Sequence, residues 1–213
     1  MNQPTSMSFN PPQPALAANI LDFWLGDGLV LGWPSTDLHK RWFSGGALLD
    51  EEVRMHFGQA VHQALQGGLT DWEEPLQSRL ALVILLDQFS RNVFRGAAQA
   101  FDGDARAMQL TLITLAQQQD RLLPWVGRVF MYMPLMHAEN AALQATGVAC
   151  FTQLFADVPT NLKPKVQGNL DAAHQHSEII GRFGRFPYRN AVLGRISTTK
   201  EVEFLRNGPR FGQ

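Results

Sequence analysis

Residues 80–95, which read LALVILLDQFSRNVFR, decide the fold. The first seven of them are apolar, so every face of this stretch is expected to lie against protein. The polar residues that follow keep helical spacing and project into one sector about 140° wide at 100° per residue. They are Asp87, Gln88, Arg91, Asn92 and Arg95. We predict a buried helix that enters the wall of a polar pocket; the alternative is an ion-paired helix end that emerges into solvent.

The rest of the chain has the same helical periodicity. Apolar residues recur at intervals of three and four, and no alternating stretch indicates a strand. Start and stop signals predict about nine helices, including one over 123–132 that Pro134 interrupts and another that begins at His137. The sequence therefore predicts an all-α fold. Residues 15–213 are expected to form a single domain that follows a flexible, proline-rich arm over residues 1–14.

Composition excludes several classes of protein. The 213 residues are 45% apolar with a net charge of −1, which argues against disorder and against a binder of nucleic acid or anionic lipid. One cysteine, Cys150, excludes an internal disulfide and a multi-cysteine zinc site. The N-terminus has no basic and apolar secretory pattern, and no apolar run is long enough to span a membrane. We therefore expect a cytoplasmic protein without metal or cofactor.

Arginine outnumbers lysine 14 to 4, and two other segments place arginine or histidine among apolar helices. In the first, MPLMHAENAALQ (133–144), the predicted helix break puts His137 in a first turn, where the helix dipole favours anions. His137, Asn140 and Gln144 are three and four residues apart, which predicts that they share one face of this helix. A histidine at a helix start has a structural role more often than a catalytic one. For His137, a structural and a catalytic role are both kept as hypotheses.

The second segment, 170–190, reads LDAAHQHSEIIGRFGRFPYRN. His174 and Glu178 are four residues apart, which favours a carboxylate that orients a histidine, since two ligands alone do not make a zinc site. Four polar residues then follow within positions 185–195, where Gly184 and Pro187 predict a turn: Arg185, Arg189, Asn190 and Arg195. Such donors bind carboxylate or phosphate, but they could equally tie two helix ends together.

These segments resemble a bacterial family of unknown function, number 924. The matching motifs are ILDFWLG (20–26), LLDQFSRNVFRG (85–96), YMPLMHAEN (132–140) and HSEIIGRFGRFPYRNAVLGRISTTKE (176–201). The resemblance implies a tetratricopeptide-like arrangement of helical hairpins and no known activity. The family motif carries over at Asp87, Gln88, Arg91, Asn92, Arg95, His137, Glu139, His174, Arg185, Arg189, Asn190 and Arg195. Ser90, Asn140 and Tyr188 depart from it, standing where proline, aspartate and histidine are usual.

Three hypotheses follow. The first is a protein that binds the carboxylate or phosphate of a small molecule or a peptide end through its arginines. The second is a hydrolase or lyase of a small anionic substrate, with His137 or His174 as the acid or base and Glu178 or Asp87 orienting it. The third is a buried ion-pair network that only fixes helix packing. The first two require Arg91, Arg95, His137, His174 and Arg189 to face one cavity.

Overall fold

The computed structural model describes residues 13–208, in which all regular secondary structure is helical. Ten helices occur there: α1 (Gln13–Leu25), α2 (Gly28–Leu31), α3 (His39–Ser44), α4 (Gly46–Leu65), α5 (76–93), α6 (Asp104–Ala116), α7 (Trp125–His137), α8 (Ala141–Asp157), α9 (Lys163–Phe183) and α10 (Thr199–Asn207). The all-α prediction is confirmed, with one helix more than the expected nine. The predicted arm over 1–14 lies outside the described residues except for its last two, which open α1.

Helix α5 changes its pitch halfway along. It is α-helical over Leu76–Val83, widens to a π-helix over Ile84–Phe89 and returns to α-helix over Ser90–Val93. Every residue of 80–86 is at most 1% exposed, which confirms the burial expected from the apolar run. The π segment carries Asp87 and Gln88, and such segments are frequent at functional sites.

The core forms around α5 and α7. Helix α5 packs against α1, α4, α6 and α7, while α8 packs between α7 and α9. Phe89 of α5 makes edge contact with Trp24 at a ring-centroid distance of 5.2 Å, and it also meets Phe57 at 5.1 Å. Burial of these apolar surfaces is the main stabilising contribution and fixes the positions of α5 and α7. Within residues 13–208, no helix is both long and apolar enough to cross a bilayer.

The predicted helix break at Pro134 is wrong. Helix α7 runs through this proline to His137, and every residue from Val126 to Met136 is buried. An internal proline costs about 3 kcal/mol, a penalty that tight packing on all sides of a helix can exceed. The next helix starts only at Ala141, where the side-chain oxygen of Asn140 accepts hydrogen bonds from two backbone amides. His137 therefore ends a helix rather than starting one, and it shares no helix face with Asn140 and Gln144.

Candidate functional site

A cavity of about 730 Å³ lies between α3, the start of α4, the second half of α5, the end of α7, α9 and a short turn over Pro187–Arg189. Its volume is in the range of small-molecule sites. Four of the five polar residues predicted on this helix line it, namely Gln88, Arg91 and Asn92 on α5 and Arg95 just after its end. The fifth, Asp87, is only 1% exposed. The second half of α5 therefore forms a polar wall of this cavity.

Asp87 forms a pair with His137 from the end of α7. The Nδ1 atom of His137 lies 2.7 Å from Oδ1 of Asp87, and Gln88 donates its Nε2–H to the other carboxylate oxygen at 2.6 Å. Burial alone would raise the pKa of Asp87, but the charges of His137 and Arg91 and these hydrogen bonds hold that pKa well below its usual range. An ionised carboxylate only accepts hydrogen bonds, so Nδ1 carries the proton. The ring lines the cavity, and within residues 13–208 no group pairs with its Nε2.

Two arginines share one aspartate beside this pair. A guanidinium nitrogen of Arg91 lies 2.9 Å from Oδ1 of Asp104, and one of Arg189 lies 3.1 Å from Oδ2. Both arginine side chains are almost buried, with exposed fractions of 11% and 6%. Asp104 comes from the first turn of α6, whereas Arg189 comes from the Pro187–Arg189 turn. The pair thus joins segments that are far apart in the sequence.

The charge of Arg189 is incompletely compensated. Burial and the like charge of Arg91 outweigh the attraction of Asp104 and lower the pKa of the Arg189 guanidinium. Its Nε is buried and has no hydrogen-bond partner among the described residues. The guanidinium carbon lies 4.5 Å from the ring centroid of Phe101 and 4.6 Å from that of Phe186. These rings hold the cation in place, while its charge could attract an anion from the cavity.

Arg95 is bound differently. It donates two hydrogen bonds to Asp50, from Nε at 2.5 Å and from a terminal nitrogen at 2.8 Å, while Asn92 donates to the same carboxylate at 2.8 Å. Its side chain is 42% exposed. Arg95 and Asn92 thus tie α5 to α4 at the cavity wall, and Asp50 compensates the charge of Arg95.

His176 and Tyr188 complete the polar end. The His176 ring centroid lies 6.0 Å from that of His137, and its Nδ1 donates to the carbonyl oxygen of Ala172 at 2.8 Å. Burial and the charges of His137, Arg189 and Arg91 lower the pKa of His176 to about 3, so this ring is neutral near pH 7. Burial also raises the pKa of Tyr188 to about 12, which keeps its hydroxyl protonated.

The remaining wall contains an apolar part. Trp42 and Phe43 contribute from α3, and Met133 and Met136 contribute from α7. Phe43 is 44% exposed and marks the rim, whereas the Arg91 and Arg189 side chains are nearly buried. A ligand with an apolar body and an anionic end therefore finds complementary surfaces at the rim and in the depth of this cavity.

Within the arginine-rich turn (185–195), Arg185, Asn190 and Arg195 do not line the cavity. Arg185 binds Glu201 of α10, with Nε 2.7 Å from the carboxylate, and Glu201 also takes part in the capping box that starts this helix. Arg195 pairs with Glu139 at 2.6 Å. Asn190 donates its side-chain N–H to the Ser197 hydroxyl oxygen at 3.0 Å. These contacts tie the turn to α10 and to the segment after α7.

His174 and Glu178 lie on the exposed face of α9 and do not line the cavity. The expected convergence holds for Arg91, Arg95, His137 and Arg189, whereas His174 stays outside. A carboxylate that orients a histidine is present elsewhere, as Asp87 with His137. Among residues 13–208, no group of three or more His, Cys, Asp or Glu side chains is arranged to hold a metal ion.

Sequence reasoning missed four residues of the site: Asp50, Asp104, His176 and Tyr188. For His176 a signal was present, because it falls at helical spacing on the same face as the buried Ala173 and Ile180. A polar ring on an apolar face needs a partner or a cavity. Asp104 offered no comparable signal, since an acidic residue in the first turn of a helix is common on its own account.

Comparison with known proteins supports the resemblance. The family model described as a bacterial protein of unknown function (DUF924) matches residues 20–209. The solved structure of the protein of unknown function ATU0120 from Agrobacterium tumefaciens is 34% identical, with a TM-score of 0.75 over 92% of this chain and 100% of that one. No curated protein is significantly similar to this chain.

Proposed function

Since the chain belongs to the bacterial DUF924 family, which carries no assigned activity, we propose from the cavity itself that this protein binds a small anion with an apolar body. The anion is a carboxylate or phosphate of a small molecule, or the carboxylate of a peptide end. Arg91 and Arg189 bind it in the depth of the cavity, while Trp42 and Phe43 contact the apolar body. Arginine suits this role because its planar fork pairs with both oxygens of a carboxylate.

One observation carries the proposal, namely that the nearly buried Arg189 shares Asp104 with Arg91 and that its Nε has no hydrogen-bond partner among the described residues. Burying a cation without full compensation destabilises a fold, so such groups are retained mainly where a ligand uses them. An anion placed between Arg189 and Arg91 would relieve their mutual repulsion. The neutral His176 beside them adds no further charge.

The residues that point away from the cavity have a different proposed role. Three of them, Arg185, Asn190 and Arg195, stabilise the fold through the contacts described above. The hypothesis of a structural ion-pair network thus applies to these residues of the turn and not to the cavity. The tetratricopeptide-like stacking of hairpins and a cytoplasmic location both remain predictions from the sequence.

Calorimetric titration tests the binding proposal. Phenylacetate and phenyl phosphate serve as anionic probes, and 2-phenylethanol is the matched neutral compound. We expect at least one anion to bind and the alcohol to give no measurable heat. Arg91→Lys and Arg189→Lys should each weaken binding about tenfold or more, because a bond between charged groups contributes about 1.5–3 kcal/mol.

Arg182→Lys is the matched control, since Arg182 is exposed on α9 and does not line the cavity. This variant should bind phenylacetate and phenyl phosphate with the same affinity as the wild type. Equal affinity for phenylacetate and 2-phenylethanol, or unchanged affinity in both cavity variants, would rule out an arginine-held anion.

A further inference from the structure

We propose that the cavity hydrolyses carboxylic esters with an apolar acyl group, with His137 as the general base and Asp87 as the residue that positions it. This inference rests on the proposed function, because the anion held by the arginines is then the carboxylate product of the reaction. The ester itself is uncharged at the reacting carbon, and the negative charge develops only during the reaction.

The geometry of the Asp87–His137 pair carries the first step. Hydrogen bonding to a buried, ionised carboxylate fixes the Nδ1–H tautomer and leaves a lone pair on Nε2. Asp87 is itself held by Gln88 and by Arg91, so the carboxylate that orients the ring is fixed in position. Nε2 has no partner within residues 13–208, while the ring lines a cavity large enough for water and an ester. A base oriented by a third group is the arrangement that acid–base catalysis needs.

The charges around the pair fit an acyl transfer. Arg91 and Arg189 contribute two positive charges, and Asp87 with Asp104 contributes two negative charges, so this cluster is neutral before reaction. When a proton moves from water to His137, the imidazolium gains one positive charge and the oxyanion gains one negative charge. The cluster together with His137 and the oxyanion therefore keeps the same total charge throughout. Arg91 and Arg189 line the same cavity as His137, and in this proposal they stabilise the oxyanion.

The reaction proceeds in two balanced steps. Water attacks the carbonyl carbon and forms a new C–O bond, its proton passes to Nε2 of His137, and the carbonyl electrons move onto oxygen. This oxyanion then collapses, the bond to the alcohol oxygen breaks, and the imidazolium returns the proton to the departing alkoxide. The products are an alcohol and a carboxylic acid, which ionises to the carboxylate that Arg91 and Arg189 bind.

Hydrolysis of p-nitrophenyl phenylacetate, followed by release of p-nitrophenolate, tests this reaction. His137→Gln should lower kcat/KM by about 100-fold or more, the usual contribution of a general base. It should leave the dissociation constant of phenylacetate within about threefold, since glutamine keeps a polar side chain of moderate size there. His174→Gln, an exposed histidine outside the cavity, is the control and should keep the wild-type rate.

Asp87→Asn tests positioning through kcat and KM measured separately. Asparagine keeps the shape of the side chain but offers no charged oxygen to the Nδ1–H, so the ring of His137 is held less firmly. We expect kcat to fall about tenfold or more. KM should stay within about threefold, because Asp87 is not expected to touch the substrate. A rise in KM with an unchanged kcat would contradict a positioning role.

Wild-type protein alone gives a further readout if a variant fails to fold. Phenylacetate should inhibit hydrolysis competitively, with an inhibition constant equal to its calorimetric dissociation constant. Binding of phenylacetate without hydrolysis above the buffer rate would overturn the catalytic proposal and leave the binding proposal intact. Hydrolysis that persists in His137→Gln at the wild-type rate would overturn the catalytic proposal as well. Failure of phenylacetate and phenyl phosphate to bind would instead overturn the proposed function.

Discussion

Asp104 is the carboxylate that joins Arg91 and Arg189 in the depth of the cavity, and replacing it with asparagine is the most informative single change. Arg91 and Arg189 approach its two oxygens at 2.9 Å and 3.1 Å. Asp104→Asn keeps the shape of the side chain but removes the charge, so two nearly buried cations lose their common partner. Breaking such a pair costs about 3–5 kcal/mol, and we expect the lower end because Asp104 is 21% exposed.

A bound anion should restore most of this loss. In the variant, the cluster of Arg91, Arg189 and Asp87 carries one excess positive charge, which a carboxylate neutralises. Ligand at 100 times its dissociation constant adds about 2.7 kcal/mol to the free energy of unfolding. Urea unfolding with and without phenylacetate measures both effects. Because this excess charge is absent from the wild type, the affinity of the variant for phenylacetate should exceed that of the wild type.

Asp171→Asn is the matched control for this experiment. Asp171 also lines the cavity, but it is exposed, and within residues 13–208 it accepts a hydrogen bond only from Gln167 on its own helix. Its replacement should change the free energy of unfolding by no more than about 0.5 kcal/mol. The reasoning is refuted if Asp104→Asn is as stable as this control, or if phenylacetate stabilises the two variants equally.

Three further results are expected. The pKa of His176 falls from 6.5 to about 3 on folding, so the unfolded chain binds a proton below pH 6.5 that the folded chain does not bind. Lowering the pH from 7 to 5 should therefore decrease the free energy of unfolding by about 2 kcal/mol through this residue. Urea unfolding at both pH values checks this, and an equal decrease in His176→Gln would contradict it. Gly103→Ala should destabilise by about 1–3 kcal/mol in thermal unfolding, because a Cβ there collides with the backbone carbonyl of Leu86; full stability would show that the contact is loose. Arg195→Ala should cost about 1–3 kcal/mol, because the Glu139 carboxylate loses its cation and keeps only the Phe186 amide as a donor among the residues that the structure describes. The calorimetric affinity for phenylacetate should be unchanged, and a loss of affinity would place Arg195 in the site.

Much of the fold could be predicted because local signals agreed with the packing. The apolar run over 80–86 requires burial on all faces, and its polar continuation has to enter either solvent or a pocket. Pro134 shows where local reasoning fails, since its intrinsic cost predicts a break that the packing of α7 overrides. The π segment of α5 could not be predicted from the sequence either, because no residue pattern in this stretch distinguishes it from an α-helix.

The site could be predicted only in part, for the same physical reason. Asp87 and His137 were both candidates, but their pairing spans 50 positions and depends on how α5 meets α7. His174 and Glu178 have suitable helical spacing, yet spacing does not say which face of α9 is exposed. Arg189 lines the cavity whereas Arg195 binds Glu139, a distinction that a turn rich in arginine does not reveal.

The central claim is that Arg91 and Arg189 hold an anion in the depth of the cavity. A crystal structure of the protein soaked with 4-bromophenylacetate tests it most directly, because anomalous scattering locates the bromine independently. We predict that the carboxylate lies about 2.7–3.1 Å from guanidinium nitrogens of both arginines, with the bromine toward Trp42 and Phe43. A carboxylate bound at the exposed Lys165 instead, or bromine density in the depth of the cavity with the carboxylate toward solvent, would contradict the account.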